Sequence, residues 1–96
     1  MVKHIVLFKL SQKTPENLEK AVSALKGMVG RIESLRNLEV GLNFKNSERA
    51  YDIALTTSFD NKAGLKTYED HPVHQPVREI LMGLCKASAV VDFEVQ

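Results

Sequence analysis

A chain of 96 residues with 44% hydrophobic content allows one domain around a single modest core, and domains of this size leave a larger share of their surface uncovered than bigger ones do. Thirteen basic and twelve acidic residues are spread along it for a formal net charge of +1, which excludes the basic footprint of a nucleic-acid or anionic-membrane binder. The lone Cys85 excludes an internal disulfide and a multi-cysteine metal site and fits a reducing compartment; with no apolar run of signal-peptide or membrane-spanning length, a soluble cytoplasmic protein is expected.

Val2, His4, Val6, Phe8 and Leu10 alternate with Lys3, Ile5, Leu7 and Lys9, the period-two pattern of a strand with one mostly apolar face. Thr14-Pro15-Glu16 then starts a helix, with a capping hydroxyl, a proline suited to the first helical position and an acid where the helix dipole favours it. Leu18, Val22, Leu25, Val29 and Ile32, flanked by Ala21 and Met28, recur at spacings of three and four as one apolar stripe. Gly27 and Gly30 weaken the last turns, so this helix is expected to end near Arg31 to Glu33.

Leu38, Val40, Leu42 and Phe44 alternate with Glu39, Gly41, Asn43 and Lys45 in a second strand. Asn46 to Arg49 form a turn, and Ile53, Leu55, Thr57 and Phe59 mark a third strand paired antiparallel to the second. Asp60-Asn61 caps a short helix running through about Tyr68. Val77, Ile80, Leu81 and Leu84 mark a second amphipathic helix, with Cys85 near the end of its face as a small buried hydrophobe, and Ala87, Ala89, Val91, Phe93 and Val95 mark a final strand.

The order βαββαβ over residues 1–96 is that of a single α+β domain of the ferredoxin-like type, a four-stranded antiparallel sheet with the helices on one face. The other face is expected to carry Ile5, Leu7, Gly41, Ala54, Thr56 and Val90, too apolar to stay wholly in water. A symmetric homodimer pairing two open sheet faces, approaching a barrel, is the expected solution.

Tyr68-Glu69-Asp70-His71-Pro72-Val73-His74 concentrates proton-exchanging groups in one turn-sized segment, and His4 sits among the apolar positions of the first strand. Either His4 is a core imidazole satisfied by backbone or hydroxyl groups, or it faces a pocket between sheet and helices whose other wall is this segment. Pro72 and Pro76 bracket His74 and stiffen its connection. His74 can then serve as general base while the Tyr68 phenol donates to an oxygen gaining negative charge, as enolisation, aldol-type closure or lyase chemistry requires. His71 and the two acids fit a shaped turn, with Asp70 or His71 capping the next helix. A zinc site would need three imidazoles converging on one ion, and the spacing of His71 and His74 lacks the i,i+4 pattern of zinc helices. No glycine loop, serine-nucleophile motif or aromatic cage is present, so neither metal nor cofactor is expected.

The opening Val2-Lys3-His4-Ile5-Val6-Leu7-Phe8-Lys9, Gly41, Tyr51-Asp52-Ile53-Ala54, Phe59 and Tyr68-x-x-His71-Pro72-x-His74 together resemble the stress-responsive α/β-barrel (Dabb) family over nearly the whole chain. That resemblance implies the ferredoxin-like fold and a dimer closing an α/β barrel, and no reaction for most members. One plant branch looks like a polyketide cyclase that closes a linear chain by an aldol step without metal or cofactor, and its active-site histidines and tyrosine match His4, His74 and Tyr68. Pro76 departs from that branch, and its pocket residues have no clear match. The primary expectation is a small-molecule binding or accessory protein; the alternative is a cofactor-independent cyclase or lyase acting on a small carbonyl compound, with His74 as base and Tyr68 and His4 beside it.

Overall fold

The computed structural model describes residues 1–96. Four segments extend as strands, Val2–Leu10 (β1), Asn37–Leu42 (β2), Ile53–Phe59 (β3) and Cys85–Glu94 (β4), and they form one antiparallel sheet in the order β2-β3-β1-β4. Across β1, the residues Val2, His4, Val6 and Phe8 stand opposite Phe59, Thr57, Leu55 and Ile53 of β3 and opposite Glu94, Asp92, Val90 and Ser88 of β4. Directly opposed residues share a face, so this register defines one side of the sheet. Three helices, Pro15–Lys26 (α1), Lys62–Asp70 (α2) and His74–Leu84 (α3), cover that side, and the second helical unit of the ferredoxin-like order is thus split in two at Pro72. None of them is long and apolar enough to cross a membrane.

The register corrects one expected placement. Val90 faces the helices opposite Val6, and it is Ala89, Val91 and Phe93 that join Ile5 and Leu7 on the open face. The alternation of β4 therefore has the opposite phase to the one needed to place Val90 on that face. A register shift at Lys9/Leu10 brings Leu10 opposite Cys85, and the Asp52 carboxylate accepts the Leu10 N–H there at 2.8 Å. Cys85 opens β4 and does not end a helix; burial, with the charge of Asp52 second, pushes its thiol pKa up.

Thr14 caps α1 as its sequence indicates, its hydroxyl accepting the Asn17 N–H at 3.1 Å, an arrangement that contributes about 1 kcal/mol. The helix ends at Lys26, a turn and more before the expected Arg31 to Glu33, because Gly27 takes the C-cap and the chain continues in tight turns through Gly30, whose φ of +79° only glycine adopts without strain. With helical phase lost, the apolar stripe divides. Ala21, Leu25, Met28 and Ile32 enter the core, whereas Val29 rotates out and is 59% exposed.

β2 likewise ends at Leu42, and Phe44, expected within it, lies outside the strand almost fully exposed. Asn43 breaks the alternation by folding its amide over the next two residues: its Nδ2 donates to the Lys45 carbonyl at 2.8 Å and its Oδ1 accepts the Lys45 N–H at 3.3 Å. The core is closed by Leu25 and Met28 from the α1 side, Ile53, Leu55 and Phe59 from β3, and Leu65, Tyr68 and Leu81 from α2 and α3.

Candidate functional site

The segment between α2 and α3 positions two of the proton-active side chains. Asn61 caps α2 by accepting the Gly64 N–H at 2.9 Å, so the helix runs to Asp70 and sets Tyr68 on its buried face. His71 then ends α2 by donating its N–H to the Tyr68 carbonyl at 3.2 Å, and its Nδ1 accepts the Val73 N–H at 3.1 Å. Helix α3 starts at His74 from Val73, which makes no side-chain cap, so neither Asp70 nor His71 caps it as expected. Asp70 instead pairs with Lys66 one turn back at 3.0 Å. Pro76 occupies the third position of α3, where the missing N–H is no loss because the first turn has no partners for its donors. The departure of Pro76 from the cyclase-like pattern therefore leaves the start of the helix regular.

Between α3 and the β1–β4 half of the sheet lies a cavity of about 620 Å³, within the range of small-molecule sites. His4, Tyr68 and His74 all line it. The Tyr68 ring is the link between the two imidazoles, its centroid 5.9 Å from that of His4 at 62° and 4.6 Å from that of His74 at 53°. Phe59 packs behind it at 5.1 Å, leaving Tyr68 1% exposed. His71 is turned away from this group, its Nε2 facing Glu33 at 3.5 Å, and no three His, Cys, Asp or Glu side chains are placed to share a metal ion.

The same register that puts His4 on the helix side puts Asp92 directly beside it, and the Asp92 carboxylate is hydrogen-bonded to His4 Nδ1. Sequence reasoning missed Asp92. The available sign was an acid inside an apolar final strand, but its partner is 88 residues away and is defined only by the β1–β4 pairing. Arg78 and Lys86, both also missed, and Glu69, expected only to shape the turn, complete the charged part of the wall.

His74 Nδ1 is buried with no hydrogen-bond partner. Burial pushes the His74 pKa below the usual imidazole value, the nearby Glu69 carbonyl opposes this, and the charges of Arg78 and His4 add to the lowering. That carbonyl is engaged by the Gln75 side chain at 3.4 Å. The Tyr68 phenol is pushed up to about 12 by burial, with Glu69 adding to the shift. At neutral pH the cavity thus presents a neutral imidazole able to accept a proton and a phenol that stays a donor.

These features define a small ferredoxin-like domain with a histidine- and tyrosine-lined cavity under its last helix. The chain belongs to the stress responsive A/B barrel domain (Dabb) family, whose model matches residues 2–95. It is 36% identical over 78 residues to an uncharacterized protein of Streptomyces coelicolor, an alignment covering 78% of this chain and 80% of that one. A dimeric protein of unknown function and ferredoxin-like fold from Bacteroides fragilis is 39% identical, with a TM-score of 0.82 over 98% of this chain and 95% of the other. A hydroxynitrile lyase from Passiflora edulis superposes with a TM-score of 0.87 over 99% of this chain and 93% of its own at 13% identity, a likeness of fold.

Proposed function

We propose that this protein binds a small carbonyl compound in the cavity under α3 and moves a proton at the carbon beside the carbonyl, without a cofactor. The observation that carries this reading is the packing of the Tyr68 ring against both His4 and His74 on one cavity wall.

In the proposed step the neutral His74 imidazole takes a proton from the carbon next to the carbonyl. The electron pair of that C–H bond moves into the carbon framework, and the enolate oxygen accepts a hydrogen bond from the Tyr68 hydroxyl. Returning the proton gives exchange or isomerisation; attack of the enolate carbon on a second carbonyl forms an aldol bond, and the new alkoxide oxygen takes the proton back from His74. His4, oriented by Asp92, turns Nε2 as an acceptor toward a hydroxyl or other donor of the substrate from the sheet side. The Passiflora edulis lyase supports the general point that this fold houses an enzyme, and function must still be argued from the site.

We also infer that two copies pair through the open sheet face, where Ile5, Leu7, Val91 and Phe93 are gathered and no helix covers them. The dimeric Bacteroides fragilis relative supports this pairing. The single thiol, Cys85, fits a cytoplasmic setting.

The test is solvent deuterium exchange next to the carbonyl in a panel of small ketones and β-keto esters, measured above the buffer rate. The wild type is expected to exceed His74→Ala by about 100-fold or more on the compound it handles. Equal rates for the two proteins remove His74 as the base, and binding without exchange returns the site to a binding role.

A further inference from the structure

We propose that Arg78 recognises an anionic group at the rim of the cavity, so that the ligand carries a carboxylate close to the carbonyl presented to His74 and Tyr68. This rests on the reading of the cavity as a carbonyl-compound site and narrows its ligand class. Arg78 follows His74 by four residues on α3, so the two side chains share one helix face about one turn apart, and both line the cavity. The Arg78 side chain is in no ion pair, although arginine and lysine elsewhere in the chain pair with Asp52, Asp60, Asp70 and Glu94.

Two acids, Glu69 and Asp92, and two cations, Arg78 and Lys86, line this space. Asp92 on β4 is engaged by His4 of β1. Glu69 on α2 is in no ion pair, and neither are the two cations, Arg78 on α3 and Lys86 on β4. Of the two, Arg78 is the better reader of a carboxylate, because its planar fork donates two parallel hydrogen bonds where an ammonium offers a point charge. It is also the cation on the helix that carries His74. A carboxylate held there is one helical turn from His74, whereas one held at Lys86 is held by the strand that follows the other end of α3.

The experiment is a chemical-shift titration of isotope-labelled protein with levulinate and with its neutral methyl ester. The wild type is expected to bind the acid about fivefold more tightly than the ester at low salt, as suits a rim-exposed pair, and to lose part of that preference as salt is raised. Arg78→Gln should bind the two probes alike and Arg78→Lys should keep part of the preference, the spectra reporting in the same samples that both variants are folded. Equal binding of acid and ester by the wild type overturns the proposal, as does a preference that survives Arg78→Gln and disappears in Lys86→Gln. Failure of the acid-base reading looks different: no probe undergoes exchange, while His74→Ala and the wild type retain the same preference for the acid.

Discussion

The Asp92 carboxylate meets Nδ1 of His4 across the β1–β4 ladder, joining the first strand to the last inside the cavity. Because the carboxylate accepts, the neutral His4 ring carries its proton on Nδ1, and Nε2 is left as the acceptor. The His4 carbonyl is meanwhile held by the Thr57 hydroxyl at 3.0 Å, so strands on both sides fix this residue.

Replacing Asp92 with Asn keeps the shape and removes the charge. The Asp92 side chain is 45% exposed, so the pair contributes no more than about 1 kcal/mol to folding, and the urea midpoint should move little. Deuterium exchange should slow by about tenfold or more as His4 loses its fixed orientation. A large fall in stability with unchanged exchange would make the pair purely structural.

His74 sets a pH window for stability. Its pKa is lowered by folding, so the unfolded chain binds a proton at this site more readily than the folded one. The contribution is fully present above the unfolded value of about 6.5 and is lost as pH falls through that value toward the lower folded one. Urea unfolding at a series of pH values from about 8 down to 5 should therefore show the wild type weakening on acidification more than His74→Gln. The exchange rate should fall over the same acid range, while Tyr68, pushed up to about 12, remains protonated throughout.

The early end of α1 makes two neighbouring residues unequal. Met28 is fully buried and Val29 is 59% exposed. Met28→Ala should cost about 2–5 kcal/mol in chemical denaturation, and Val29→Ala should stay within about 0.5 kcal/mol. Comparable losses at both positions would mean that the helix continues past Gly27.

Adjacent valines on β4 test the pairing face. Val91 lies on the open side of the sheet and Val90 on the cavity side. In sedimentation, Val91→Glu should convert the pair to single chains, since an unpaired charge would be buried between sheets. Val90→Glu should leave the pair intact. A wild type that sediments as a single chain at micromolar concentration defeats the pairing.

The elements were largely legible because their signals are local. Thr14-Pro15-Glu16 starts α1, Asn61 starts α2, and the alternation of β1 and β3 is visible residue by residue. Errors fell where two local preferences compete. Gly27 could weaken a helix or end it, and Asn43 could continue an alternating strand or fold over Lys45, and in each case the turn prevailed. His4, Tyr68 and His74 follow from residue type and from the spacing shared with the stress-responsive α/β-barrel family, and the fold brings all three to one wall.

What the sequence by itself determined is the set of elements and their order, since helical and extended periodicities, caps and breakers act over a few residues. What only the tertiary structure decided is which side of the sheet β4 turns toward the helices. A shift of one residue in the β1–β4 register would exchange Asp92 and Val90 for Val91 and Phe93, taking the carboxylate away from His4 and the apolar pair away from the open face. That choice is made by packing between strands at opposite ends of the chain, which no local pattern in either strand contains.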